Sequence, residues 1–137
     1  SDVCSSDLVH GLDLDTLATT GIPPRTAMKR FRDWIVNITP PDHKPVFIGF
    51  NAPFDWMFVN DYFHRYLGSN PFGHAAIDIR SYYMGLRKVT SGQASMKQIA
   101  QQYGNHDPLT HNAMDDAIYQ ARLFTAMLQE SLSSQPI

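Results

Sequence analysis

The run Val46–Phe50 (Val-Phe-Ile-Gly-Phe) is the stretch that most constrains the fold of this chain. It follows Pro45, stops at Asn51, and is apolar throughout. It is too short for a helix and too continuous for a half-exposed strand, so it predicts a buried strand at the centre of a sheet. The pattern then changes period. Phe54, Met57, Phe58, Tyr62, Phe63 and Tyr66 fall on one face of a helix, with Asn51 as its N-cap and Pro53 in its first turn. A strand that turns directly into a helix is the unit of an α/β layer. The unit recurs after the Gly68–His74 loop, where Ala75–Ile79 reads as a second short strand and a helix follows through Tyr82, Tyr83 and Leu86.

The flanking segments are helical. After Pro23-Pro24, the residues Ala27, Met28, Phe31, Trp34, Ile35 and Ile38 recur at helical spacing, and Pro40-Pro41 ends the pattern. Ser95–Tyr103 reads as a short helix closed by Gly104, Asn105–Thr110 as a polar loop, and about Asn112 to Leu132 as a long last helix. Ser1–Leu8 is Ser/Asp-rich with no period, an unstructured or foreign segment. The expected organisation is one partial domain over residues 9–132, with a tail at 133–137.

Composition narrows the function classes. The chain has 137 residues, 43% hydrophobic and 18% charged, and a net charge of −2, so no global basic field draws it to nucleic acid. Cys4 is the single cysteine, which excludes an intrachain disulfide and a cysteine-built zinc site and fits a reducing cytoplasm. No apolar run approaches the roughly 20 residues of a membrane span, and no signal-peptide layout opens the chain. A cytoplasmic protein that does not enter a membrane is expected. The acidic residues are twelve Asp and one Glu, Glu130.

Two constellations carry chemistry. In the first, Asn51-Ala52-Pro53-Phe54-Asp55, a carboxylate stands where a buried strand turns into a helix, the end of the strand at which open α/β sheets place ligands. On its own, Asp55 also fits a residue that merely complements a helix dipole. In the second, His111-Asn112-Ala113-Met114-Asp115-Asp116-Ala117, helical spacing places Ala113, Ala117, Ala121, Phe124 and Leu128 on one stripe. Asp116 lies at its margin and Asp115 on the opposite face, so Asp116 is the carboxylate expected to look inward. The three alanines allow a close approach to the sheet. A hard divalent cation needs oxygen ligands from separate elements, and a neutral His suits taking a proton from water.

Taken together, Asn51-x-x-Phe54-Asp55 and His111-x-x-x-x-Asp116-Ala117 resemble the second and third motifs of the DEDDh 3′-5′ exonucleases, the superfamily of the proofreading epsilon subunit, ribonuclease T and oligoribonuclease. The resemblance runs from about Gly21 to Leu128. It implies a ribonuclease H-like α/β fold, a mixed sheet flanked by helices, and hydrolysis of nucleic-acid phosphodiester bonds from the 3′ end of DNA or RNA. It further implies that Asp55 and Asp116 bind two Mg²⁺ or Mn²⁺ ions, that His111 is the catalytic base, and that Asn51 and Phe54 contact substrate, Phe54 more by packing than by stacking. Asp78 reads as a capping or bracing residue rather than a ligand. A homodimer is an open expectation, since several relatives dimerise.

The chain departs from that family at one point. The family's first motif, Asp-x-Glu on an N-terminal strand, has no counterpart: the lone Glu130 sits near the C-terminal end of the last helix, and Asp13-Leu14-Asp15 has neither the Glu nor an apolar strand before it. The expectation is therefore an N-terminally truncated exonuclease domain, missing its first strands and inactive as written. The alternative is a degenerate, non-catalytic nucleic-acid or partner-binding module of the same fold. A metal hydrolase of another kind, using His111 as a ligand, is the weaker third.

Overall fold

The computed structural model describes residues 13–103 and 112–133. Ser1–Leu8, the Asn105–Thr110 loop and His111 lie outside these residues, as does nearly all of the 133–137 tail. The described elements are α1 (Leu14–Thr20), α2 (Pro24–Ile38), β1 (Phe47–Gly49), α3 (Ala52–Leu67), β2 (Ala76–Asp78), α4 (Ile79–Arg87), a 3₁₀ turn (Ser91–Gln93), α5 (Met96–Gln102) and α6 (Ala113–Ser133). The architecture is α/β, mostly helical, around a small parallel sheet. β1 pairs with β2 in register, Phe47 opposite Ala76, Ile48 opposite Ile77 and Gly49 opposite Asp78.

Both strands are shorter than the apolar runs that predict them, and among the described residues β1 has one partner, so it is an edge strand rather than a central one. Ile48 and Ile77 keep 38% and 37% of their surface in solvent. A parallel strand is normally covered on both faces, so these exposures mark a sheet that the described residues do not finish covering.

Two apolar cores flank the sheet. In one, α2 places Met28 and Ile35 against Phe63 of α3, with Phe31 stacked on Phe63 at a ring-centroid distance of 5.5 Å. In the other, Ile79 and Tyr83 of α4, Ile99 and Ala100 of α5, and Leu123, Phe124 and Met127 of α6 pack together. Pro24 occupies the first turn of α2, where a missing N–H costs nothing. Gly68 closes α3 at φ 75°, the left-handed conformation that a helix C-terminus favours in glycine. Ser95 opens α5 with a reciprocal capping box to Gln98. α1 has no counterpart in the sequence reading; it is held by the Asp13 carboxylate accepting the Thr16 N–H at 2.9 Å and buries none of its residues.

The lone Glu has a structural post. Glu130 accepts from Arg87 of α4 and from the Tyr103 hydroxyl at the end of α5, each at 2.7 Å, and so ties three helices together. No described helix is long and apolar enough to cross a membrane.

Candidate functional site

Asp55 and Asp116, sixty-one positions apart in the sequence, face one trough of about 870 Å³. All three residues of β1 line it, which places it along the strand's open edge rather than on one face, where alternate residues would point away. Phe31 and Val59 close one side and Ile79 and Phe124 the other, so the trough lies between the two cores. Ala113, Ala117, Ala121 and Leu128 of α6 also line it and are exposed there. The small-residue stripe read as a close approach to the sheet therefore borders an open trough instead.

Asp55 stands in the first turn of α3 because the chain turns sharply at Asn51, which adopts the left-handed conformation at φ 58° and ψ 42°. Asn tolerates that region better than most residues, and a branched side chain would strain it. The Asn51 side chain makes no capping bond, contrary to its expected role. Asp78 supplies the bond: from the end of β2 its Oδ1 accepts the Ala52 N–H at 3.1 Å, while its Oδ2 accepts the Ser81 N–H at 3.0 Å and caps α4. Burial pushes the Asp78 carboxyl up, but the hydrogen bonds from Ser81, Ala52 and Asn51 outweigh it, and the group lies below the ordinary carboxylate range. One carboxylate thus braces the starts of two helices.

Asn112 opens α6, its Oδ1 accepting the Met114 N–H at 3.0 Å. Asp115 is exposed, whereas Asp116 turns toward the trough and its Oδ1 is buried without a hydrogen-bond partner. A buried carboxylate oxygen left unpaired is costly, and a cation is one way to satisfy it. In kind, the two carboxylates fit a hard divalent ion; in number they fall short, and no cluster of three or more His, Cys, Asp or Glu positioned for a metal occurs among the described residues.

Gln120, one turn beyond Asp116, was missed by the sequence reading. Its Oε1 accepts the Phe50 N–H at 2.9 Å, joining α6 to the corner that leads to Asp55. No periodicity marks such a residue, because its partner lies seventy positions away.

Phe54 departs from the packing role expected of it. It is 60% exposed, with its ring against Phe58 at 5.4 Å. Met57, Phe58 and Tyr62 are exposed as well, so of the apolar face read for α3 only Phe63 is fully buried. His111 lies outside the described residues.

No protein-family model matches the chain. It is 46% identical over 121 residues to the 3′-5′ DNA exonuclease Cap18 of Escherichia coli, a match that covers 85% of this chain. The chain spans 62% of the length of that relative.

Proposed function

We propose that this chain is part of a metal-dependent 3′-5′ exonuclease that acts on DNA, with a ribonuclease H-like domain of the DEDDh kind. The observation that carries the reading is the meeting of Asp55 and Asp116 in one trough, with an unpaired Asp116 oxygen, in a chain closely similar to a protein named as a 3′-5′ DNA exonuclease.

Asp55 and Asp116 would hold the divalent ions. When bound, Mg²⁺ or Mn²⁺ supplies Lewis-acid stabilisation of the charge that develops on the scissile phosphate. His111 accepts a proton from the attacking water. Asn51 and Phe54 precede Asp55 in the chain and do not line the trough, so they would contact the terminal nucleotides at its rim, where the exposed Phe54 ring suits stacking on a base.

Two carboxylates hold two cations poorly. We assign the missing pair to an Asp-x-Glu strand that is not in this sequence and that lies along the β1 edge, filling the trough. The exposed Ile48 and the alanine stripe of α6 support this, as does the engagement of Glu130 elsewhere. By itself the chain is then inactive. The test is the reading frame upstream of Ser1. An encoded apolar strand with Asp-x-Glu, whose addition to the chain produces Mg²⁺-dependent shortening of DNA, supports the proposal; a longer chain that lacks the motif and is inert refutes it.

The lack of a three-ligand cluster among the described residues favours a second reading, a non-catalytic module of the same fold that binds nucleic acid. That module would bind a single-stranded DNA end without Mg²⁺ and never cut it.

A further inference from the structure

We propose that Gln120 is a positioning residue that sets the separation of Asp55 and Asp116. The proposal rests on the reading of those two carboxylates as metal ligands. Gln120 follows Asp116 by four positions on α6, and the two side chains line the same trough. Its Oε1 accepts the Phe50 N–H at 2.9 Å. From there to Asp55 the backbone has little freedom. The Ala52 N–H is taken by Asp78 at 3.1 Å, the Phe54 N–H by the Asn51 carbonyl at 3.0 Å, and Pro53 fixes its own φ. A shift at Phe50 is therefore handed on to Asp55 rather than absorbed in a loose loop.

The bond acts beside one other tie between these elements, the Phe50 side chain, which packs against the core that contains α6. Among the described residues β1 has an open edge, and the trough separates the core that contains α3 from the core that contains α6. A side-chain acceptor that reaches across that gap to the end of β1 fixes how far the first turn of α3 stands from Asp116. Partners that orient metal ligands from outside the coordination sphere typically govern about 10- to 100-fold in metal affinity.

The experiment uses the full-length protein and Mn²⁺ alone. Gln120→Met keeps the length of the side chain and removes the acceptor; Gln120→Glu keeps the acceptor. The readouts are the Mn²⁺ dissociation constant, hydrogen exchange at the Phe50 amide, and thermal unfolding. In Gln120→Met the Phe50 amide loses protection and Mn²⁺ affinity falls about tenfold or more. Gln120→Glu restores both. Gln120→Met combined with Ala121→Glu, which adds charge without the acceptor, does not restore affinity. Should Gln120→Met fail to fold, Gln120→Ala serves the same comparison.

Wild-type Mn²⁺ affinity in a variant whose Phe50 amide has lost protection makes Gln120 a plain strand cap and overturns the proposal. So does rescue by charge at position 121. Wild-type protein that binds no Mn²⁺ at Asp55 and Asp116 removes the ligand reading itself, a result visible before any Gln120 variant is made.

Discussion

Replacing Glu130 with Ala removes the acceptor that joins α4, α5 and α6. Among the described residues the bonds lost are those from Arg87 and from the Tyr103 hydroxyl, both at 2.7 Å. The Arg87 and Glu130 side chains are 30% and 31% exposed, so their ion pair is partly screened and contributes about 1 kcal/mol rather than the larger value of a fully buried pair. The tyrosine bond to a charged acceptor adds about 1.5 kcal/mol. Arg87 Nε is already buried without a hydrogen-bond partner, and the guanidinium keeps its place over the Tyr103 ring, 5.7 Å from the centroid. The sum is a loss of roughly 2.5 kcal/mol, or a fall in Tm of roughly 6–10 °C for a domain of this size. Urea unfolding of wild type, Glu130→Ala and Glu130→Gln measures it, with Gln, which keeps a neutral acceptor, losing about 1 kcal/mol. A titration follows the same contact. Burial first, then the Glu130 carboxylate, push the Tyr103 hydroxyl up to about 12. Its neutral form is favoured in the folded protein, so this stability is complete below the ordinary tyrosine value near 10 and is lost as pH rises toward 12. Glu130→Ala should move one tyrosine to a lower midpoint in an absorbance titration. A stability loss below about 0.5 kcal/mol with unchanged tyrosine midpoints would show Glu130 to be ordinary helix-surface charge and refute the clamp.

Core and trough respond differently to truncation. Phe63→Ala, at a site with 0% exposure, should cost about 3–5 kcal/mol, whereas Ile48→Ala, at 38% exposure, should cost under 2 kcal/mol in this chain; equal costs in chemical denaturation would show the β1 edge to be as well covered as the core. Asp78 gives a pH signature at the acid end. Its folded carboxyl lies below the usual value of 3.8, so its contribution is present above that value and is lost as pH falls through the folded one. Asp78→Asn should flatten the fall in stability below about pH 4, and an unchanged slope would remove Asp78 as the brace of α3 and α4.

Much of the framework is written in local pattern. The passage from Val46–Phe50 into α3, the capping box at Ser95 and Gln98, and the inward turn of Asp116 against the outward Asp115 all rest on residues within a few positions of each other. What local pattern cannot show is which face another element covers. The spacing of Phe54, Phe58 and Tyr62 is right for a buried stripe, yet all three are exposed, because nothing among the described residues packs on that side of α3. The same limit applies to β1, read as a central strand, which has one partner among the described residues. α1 escaped notice because a helix that buries nothing leaves no apolar period, only a capping Asp13. Gln120 and Glu130 act on partners seventy and forty-three positions away, and their roles emerge only when the chain is folded.

We propose above that Asp55 and Asp116 form part of the metal site of a DNA 3′-5′ exonuclease. The most direct measurement follows 5′-labelled single-stranded DNA with the full-length protein and Mg²⁺, comparing wild type with Asp116→Asn. Stepwise shortening from the 3′ end that is slowed roughly a thousandfold in the variant, equivalent to about 4 kcal/mol of lost transition-state stabilisation, is the expected result. Shortening at the wild-type rate in Asp116→Asn, or undiminished by removal of the divalent ions with a chelator, would contradict it.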